Sequence, residues 1–136
     1  MVSGPVDVVI IGFPGNKFTG KIAPAIRDLV ESNTIRIIDL LFVTSDEEGN
    51  ITALRIQDLA SDLTPGLVEL DTLIPGALDE HDAQELAEDL PANSSALLVA
   101  FENVWAAKFV AAIQEADAVV IDQIRIPADA VAELLA

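Results

Sequence analysis

The chain has 136 residues, 51% of them apolar, which suits a single domain able to bury its own core. It has no cysteine, so a disulfide, a thiolate metal site, an iron–sulfur cluster and a thiol nucleophile are all excluded. Its 23 acidic and 7 basic residues leave a net charge of −16, which argues against nucleic acid and against an anionic membrane surface as partners and keeps the chain soluble.

Val6–Phe13 (VDVVIIGF) is a run of β-branched residues stopped by Pro14-Gly15, the pattern of a buried strand. Phe18, Ile22, Ile26, Leu29 and Val30 then recur at helical spacing, with Asn16 or Thr19 as candidate caps. Pro24 is tolerated only in a first helical turn, so the regular helix is expected from near Gly20 to Ser32-Asn33. Ile35–Ser45 is a long strand. Asp46-Glu47-Glu48-Gly49-Asn50 is a turn, and Ile51–Ile56 returns antiparallel as an edge strand.

Residues 58–91 change character: they are acidic and broken by Pro65-Gly66 and Pro75-Gly76. They are read as an inserted set of short helices, about Pro65–Thr72 and Asp79–Leu90. The second has Asp79, Glu80 and Asp82 in its first turn, where the helix dipole favours anions. Ala96–Phe101 is a second wholly apolar strand, Trp105–Ala116 a helix and Ala118–Ile126 a strand. Pro127 opens a final helix within residues 127–136.

The order strand, helix, strand therefore occurs twice, and each copy closes on a strand in which an acid follows branched aliphatics (Asp39, Asp122). Two β-α-β halves predict an α+β, ferredoxin-like sandwich over residues 1–136. Its antiparallel sheet would have an extra edge strand, the inserted short helices on the side, and Val6–Phe13 and Ala96–Phe101 adjacent at the centre. Val8, Val9, Ile10 and Ile11, with Leu97, Leu98 and Val99, are apolar on both sides, whereas a half-solvated strand alternates. The face left open by the helices needs a cover, supplied either by the insertion or by a second subunit. The broad apolar stripe of Trp105–Ala116 favours a homo-oligomer.

The blocks GFPGNKFTG, IRIIDLLFVTSDEEGNITAL, LDEHDAQELAEDLPANSSALLVAFENVWAAKF and IRIP resemble an uncharacterised bacterial family of small ferredoxin-like proteins. That family is related to a larger group of bacterial "membrane proteins of unknown function", which share an IDL…V-x-x-D-x-x-G hairpin and carry a Gly-rich apolar segment after it. Here the matching stretch, Asp58–Pro75, is acidic and short, so membrane insertion is not expected. The resemblance brings no catalytic residues. The opening MVSGPVDVVI has no basic region ahead of its apolar stretch, which points to a cytoplasmic protein.

Several constellations are candidate sites. Gly15, Asn16, Lys17, Gly20 and Lys21 fit G-x-x-x-x-G-K between a strand and a helix, where free backbone N–H groups can hold an anion. Ile22 stands where a hydroxyl should hold magnesium, so a nucleotide loop is disfavoured. Phe13, Phe101, Asn103 and Trp105 lie at strand ends and can line a pocket, or else pack in the core with Asn103 as a cap. His81, among acids, is either a pH sensor or a solvated first-turn residue. Asp46–Asn50 lacks the alternating ligand spacing of a calcium loop and reads as a hairpin turn. Asp39 and Asp122, the symmetric acids, either act as acid and base, or face solvent, or bond to neighbouring backbone or to bases such as Arg36 and Arg125.

The composite expectation has no catalytic residue, metal or cofactor. It is a non-enzymatic, self-associating structural, scaffold or regulatory protein whose partner is itself, with an unidentified protein partner as a further option. The alternative is a small-molecule or anion-binding module with its pocket at the strand ends or between subunits.

Overall fold

A computed structural model describes residues 4–16, 21–55, 70–86, 88–128 and 130. Its elements are β1 (Val6–Phe13), α1 (Ile22–Glu31), β2 (Ile35–Ser45), β3 (Ile51–Arg55), α2 (Glu80–Leu86), β4 (Ser94–Asn103) and α3 (Ala107–Glu115). Short 3-10 turns follow β1 at Pro14–Asn16 and β4 at Val104–Ala106. The four strands form one antiparallel sheet in the order β1-β4-β2-β3. The fold is thus mixed α and β, with β1 and β2 parallel to each other on either side of β4.

Local sequence explains most boundaries. Pro24 is the third residue of α1, inside the first turn, where its missing N–H breaks no helical bond. Asn33 takes φ 59° just after the helix and turns the chain into β2. Gly15, at φ 65°, makes the turn out of β1 in a conformation that glycine adopts without strain.

β2 and β4 are buried on both faces. On one face Ala23 and Ile26 of α1 pack on Ile37, Leu40, Phe42, Leu97 and Val99. On the other, Leu78 and Ala83 pack on Ile38, Leu41, Val43, Ala96, Leu98 and Ala100. Between the two covers proposed from sequence, the described part of the insertion therefore covers this second face over the sheet centre. A β-bulge makes this possible: the β2–β4 register slips between Ile37 and Asp39, so Ile38 and Asp39 both turn to the insertion side. β3 ends opposite Leu41, and beyond it Leu73 and Ile74 donate to the Ile37 and Ile38 carbonyls, each at 2.9 Å. The insertion thus extends the sheet edge where β3 stops.

Two expectations are corrected. Val6–Phe13 does lie beside β4, but β2 and β4 hold the centre and β1 is an edge strand among the described residues. Residues 118–126 form no strand; they run without regular structure past α3. Strand propensity is expressed only where a neighbouring strand supplies the ladder, and these residues have none among the described residues. α3 itself buries no residue. Val8, Val9 and Ile10 remain 47, 40 and 44% exposed, although their β4 partners Ala100, Val99 and Leu98 are buried. Of the expected helix within 127–136, Pro127 is irregular, Ala128 and Ala130 are helical, and residues 129 and 131–136 lie outside the described residues, as do residues 65–69 of the expected insertion helix.

Candidate functional site

Polar chemistry inside the described residues concentrates in three places. Asp39 is buried on the insertion side of β2. Its Oδ2 accepts the N–H groups of Gly76 at 3.1 Å and Leu78 at 2.8 Å, and Arg55 reaches both carboxylate oxygens. Arg55 Nη1 also donates to the Leu78 carbonyl at 3.0 Å. Apart from the adjacent Leu40 N–H at 2.9 Å, every described partner of Asp39 ties the insertion or β3 to β2, so this pair is a fastener. Asp122 lies apart from it, exposed, with its Oδ1 accepting the Gln123 N–H at 2.7 Å. The two symmetric acids are not brought together.

Glu102 is the second buried acid. Its Oε1 accepts Arg36 Nε at 2.9 Å and Nη2 at 2.6 Å, while its Oε2 accepts the Gly4 N–H at 2.7 Å. It clasps the chain ahead of β1 to the end of β4.

The third place is a groove of about 250 Å³ between α3 and residues 120–125, walled by Pro5, Trp105, Phe109, Ile113 and Val120. Asn103 organises its polar end. The carboxamide Nδ2 donates to the Pro5 carbonyl at 3.1 Å and to Asp7 Oδ2 at 2.7 Å, and its Oδ1 accepts Trp105 Nε1 at 3.2 Å. Arg125 Nη2 approaches the same Asp7 oxygen at 2.5 Å. Trp105 is 66% and Phe109 68% exposed. The groove is smaller than typical small-molecule sites of roughly 300–1,000 Å³, and Asp7, Asn103, Trp105 and Arg125 bond to one another at its polar end.

Of the candidate pocket residues, Asn103 and Trp105 line this groove. Phe101 and Phe13 pack against the α1-side core instead, at opposite ends of the β1–β4 ladder, where Phe13 pairs with Ser95 and Phe101 with Asp7. Of the candidate anion loop, Gly15 lies in the turn after β1 and Lys21 immediately precedes α1 without a side-chain capping bond. Asn16 closes that turn, and Lys17 through Gly20 lie outside the described residues. Leu97, Leu98 and Val99 are covered within the chain, whereas Val8, Val9 and Ile10 stay open and Ile11 is half-buried.

His81 Nε2 lies 3.1 Å from Glu85 Oε1 one helical turn on, both exposed. Asp79 and Asp82 cap α2 reciprocally: Asp79 Oδ1 accepts the Asp82 N–H at 2.9 Å and Asp82 Oδ2 accepts the Asp79 N–H at 3.0 Å. The backbone bond from Asp82 holds the Asp79 carboxyl below its ordinary value. In the hairpin turn, Asp46 Oδ1 accepts the N–H groups of Glu48 and Asn50, each at 2.9 Å; the Asn50 bond is the main cause of a lowered carboxyl pKa. Asp46 is thus engaged by its own turn. No group of three metal-ligating side chains occurs among the described residues, and no helix there is long and apolar enough to cross a membrane.

What the fold defines is a small α+β protein, a four-stranded antiparallel sheet with three helices among its described residues. The chain belongs to a family of unknown function, DUF6325, whose model matches residues 2–136. No curated protein and no solved structure matches it.

The Asn103 cluster and the Asp39 fastener escaped sequence reasoning because each joins residues far apart in the chain. A signal for the first was present in the closeness of Asn103 and Trp105; nothing local marked Arg55 as the partner of Asp39.

Proposed function

We propose that the protein is a non-enzymatic, self-associating module with a structural, scaffold or regulatory role, and that it associates through the flank formed by β1, α3 and residues 118–126. One observation carries the reading. Val6, Val8, Val9 and Ile10 of β1, Trp105 and Phe109 beside and on α3, and Val119, Val120, Ile121, Ile124 and Ile126 after it are all large apolar residues open to solvent. A soluble monomer rarely leaves so much apolar surface uncovered on one flank.

Charge supports the same surface. β1, α3 and residues 118–126 carry Asp7, Lys108, Glu115, Asp122 and Arg125, three acids and two bases that nearly cancel, in a chain of net charge −16. Two copies can meet there while their acidic surfaces stay apart. Asp7, Asn103, Trp105 and Arg125 bond to one another at the polar end of the groove, which favours a binding surface over a reaction centre. The strand–helix–strand order of β1, α1 and β2 supports a ferredoxin-like lineage for the sheet, and the cysteine-free composition supports a cytoplasmic location.

Light scattering coupled to size exclusion tests the reading. One copy weighs 14.4 kDa. A discrete multiple of that mass is expected, and a single-copy mass at every concentration examined overturns it. The groove favours one second reading, a module for a small apolar ligand. A metabolite that raises the melting temperature of a monomer by several degrees supports it.

A further inference from the structure

We propose that the self-association surface works by strand addition: residues 118–126 of one copy add as a fifth strand to the outer edge of β1 in a second copy. This rests on the self-association reading and specifies its geometry.

Both halves of the contact are visible in the fold. Among the described residues β1 pairs with β4 alone, so its eight residues present every second N–H and C=O pair outward on an open edge. That edge has few of the usual protections: its exposed positions are Val6, Val8, Val9, Ile10 and Gly12, its single charge, Asp7, is paired with Arg125, and it contains no proline and no lysine. Residues 118–126, AVVIDQIRI, have strand composition: Val119, Val120, Ile121, Ile124 and Ile126 are β-branched. Among the described residues of its own chain this segment has no ladder. Its bonds there are local ones, from the Ala118 N–H to the Ile113 carbonyl and from the Gln123 N–H to Asp122, together with the Arg125–Asp7 ion pair. Ile121 is 96% exposed.

One observation selects a second copy as the occupant. Arg125 of the segment is held by Asp7 of its own β1 at 2.5 Å. The segment also covers its own α3, where Val120, Asp122 and Gln123 face Phe109, Val110 and Ile113 across the groove. Insertion beside its own β1 would uncover α3, whose Phe109 is already largely open. Addition to a second copy leaves that contact in place and uses the outward Val119 and Ile121.

The test compares wild type with Ile121→Pro, which removes an N–H that a ladder needs. Residue 121 lies in an exposed, irregular stretch, so the variant is expected to fold. The expected results are an assembled wild type, an Ile121→Pro variant at single-copy mass, and amide exchange in β1 and in 119–126 that slows about a hundredfold on assembly and recovers on dilution. An Ile121→Pro variant that keeps the wild-type mass overturns strand addition while leaving self-association standing. β1 amides that exchange freely in the assembled wild type overturn it too, and this readout holds even where the proline variant misfolds. A wild type that stays single-copy, with or without protected β1 amides, overturns both readings.

Discussion

Asp39 and Arg55 form a two-pronged ion pair across the sheet, diagonal to the register that sets Arg55 opposite Leu41, with the carboxylate fully buried. The same carboxylate caps the N–H groups of Gly76 and Leu78, and the same guanidinium holds the Leu78 carbonyl. The pair therefore decides whether the insertion stays on the sheet. Asp39→Ala leaves Arg55 without its anion and those N–H groups without an acceptor. A loss of about 3–5 kcal/mol is expected in urea unfolding. Asp39→Leu combined with Arg55→Met should recover part of it, because both charged partners go together. A loss below about 1 kcal/mol for Asp39→Ala would show that the insertion is held by its apolar contacts alone.

Gly4 and Gly12 should respond oppositely to alanine. A Cβ at Gly4 would sit 2.3 Å from the Asn103 carbonyl oxygen, a backbone atom that cannot step aside. Gly4→Ala must loosen the Gly4–Glu102 clasp and is expected to destabilise by about 1–3 kcal/mol. At Gly12 an added Cβ meets nothing within 4 Å. Gly12→Ala should be neutral or slightly stabilising through the unfolded chain. Thermal melts of the two variants side by side check the contrast.

Leu98 and its β1 neighbour Ile10 are paired in register, yet only Leu98 is sealed from water. Leu98→Ala is expected to destabilise by about 3 kcal/mol through the cavity it leaves. Val8→Lys and Val9→Lys place a charge on half-open positions, so both variants should keep wild-type circular dichroism. On the self-association reading they should elute at single-copy mass. Folded variants that retain the wild-type assembly would remove β1 from the interface.

Acid should weaken two local devices. Backbone N–H groups lower the carboxyl of Asp46 from its ordinary 3.8, chiefly through Asn50, and that of Asp79 from the same value, chiefly through Asp82. A depressed folded-state pKa contributes stability that is complete above the ordinary value and disappears as the pH falls through the lower folded one. The melting-temperature gap between wild type and Asp46→Ala, or Asp79→Ala, should stay constant from neutral pH down to about pH 5 and close at more acidic pH. A gap that widens on acidification would contradict the assigned hydrogen bonds.

What the sequence by itself determined is the local structure. Continuous branched residues marked β2 at Ile35–Ser45, an Asp-to-Asn turn marked the hairpin into β3, and Pro24 placed the start of α1 within a residue or two. These features follow from rules that act over a few neighbouring residues, namely propensity, turn chemistry and capping. Two-sided burial at Leu97–Val99 was legible for the same reason, as an unbroken apolar run in a short strand. Only the tertiary structure decided which cover lies where. The bulge at Ile37–Asp39, the edge bonds from Leu73 and Ile74, and the meeting of Asp39 with Arg55 depend on residues brought together from distant parts of the chain. The same dependence defeated the strand expected at 118–126: its composition was right, but a strand exists only where another offers it a ladder, and none of the described strands of the same copy does so.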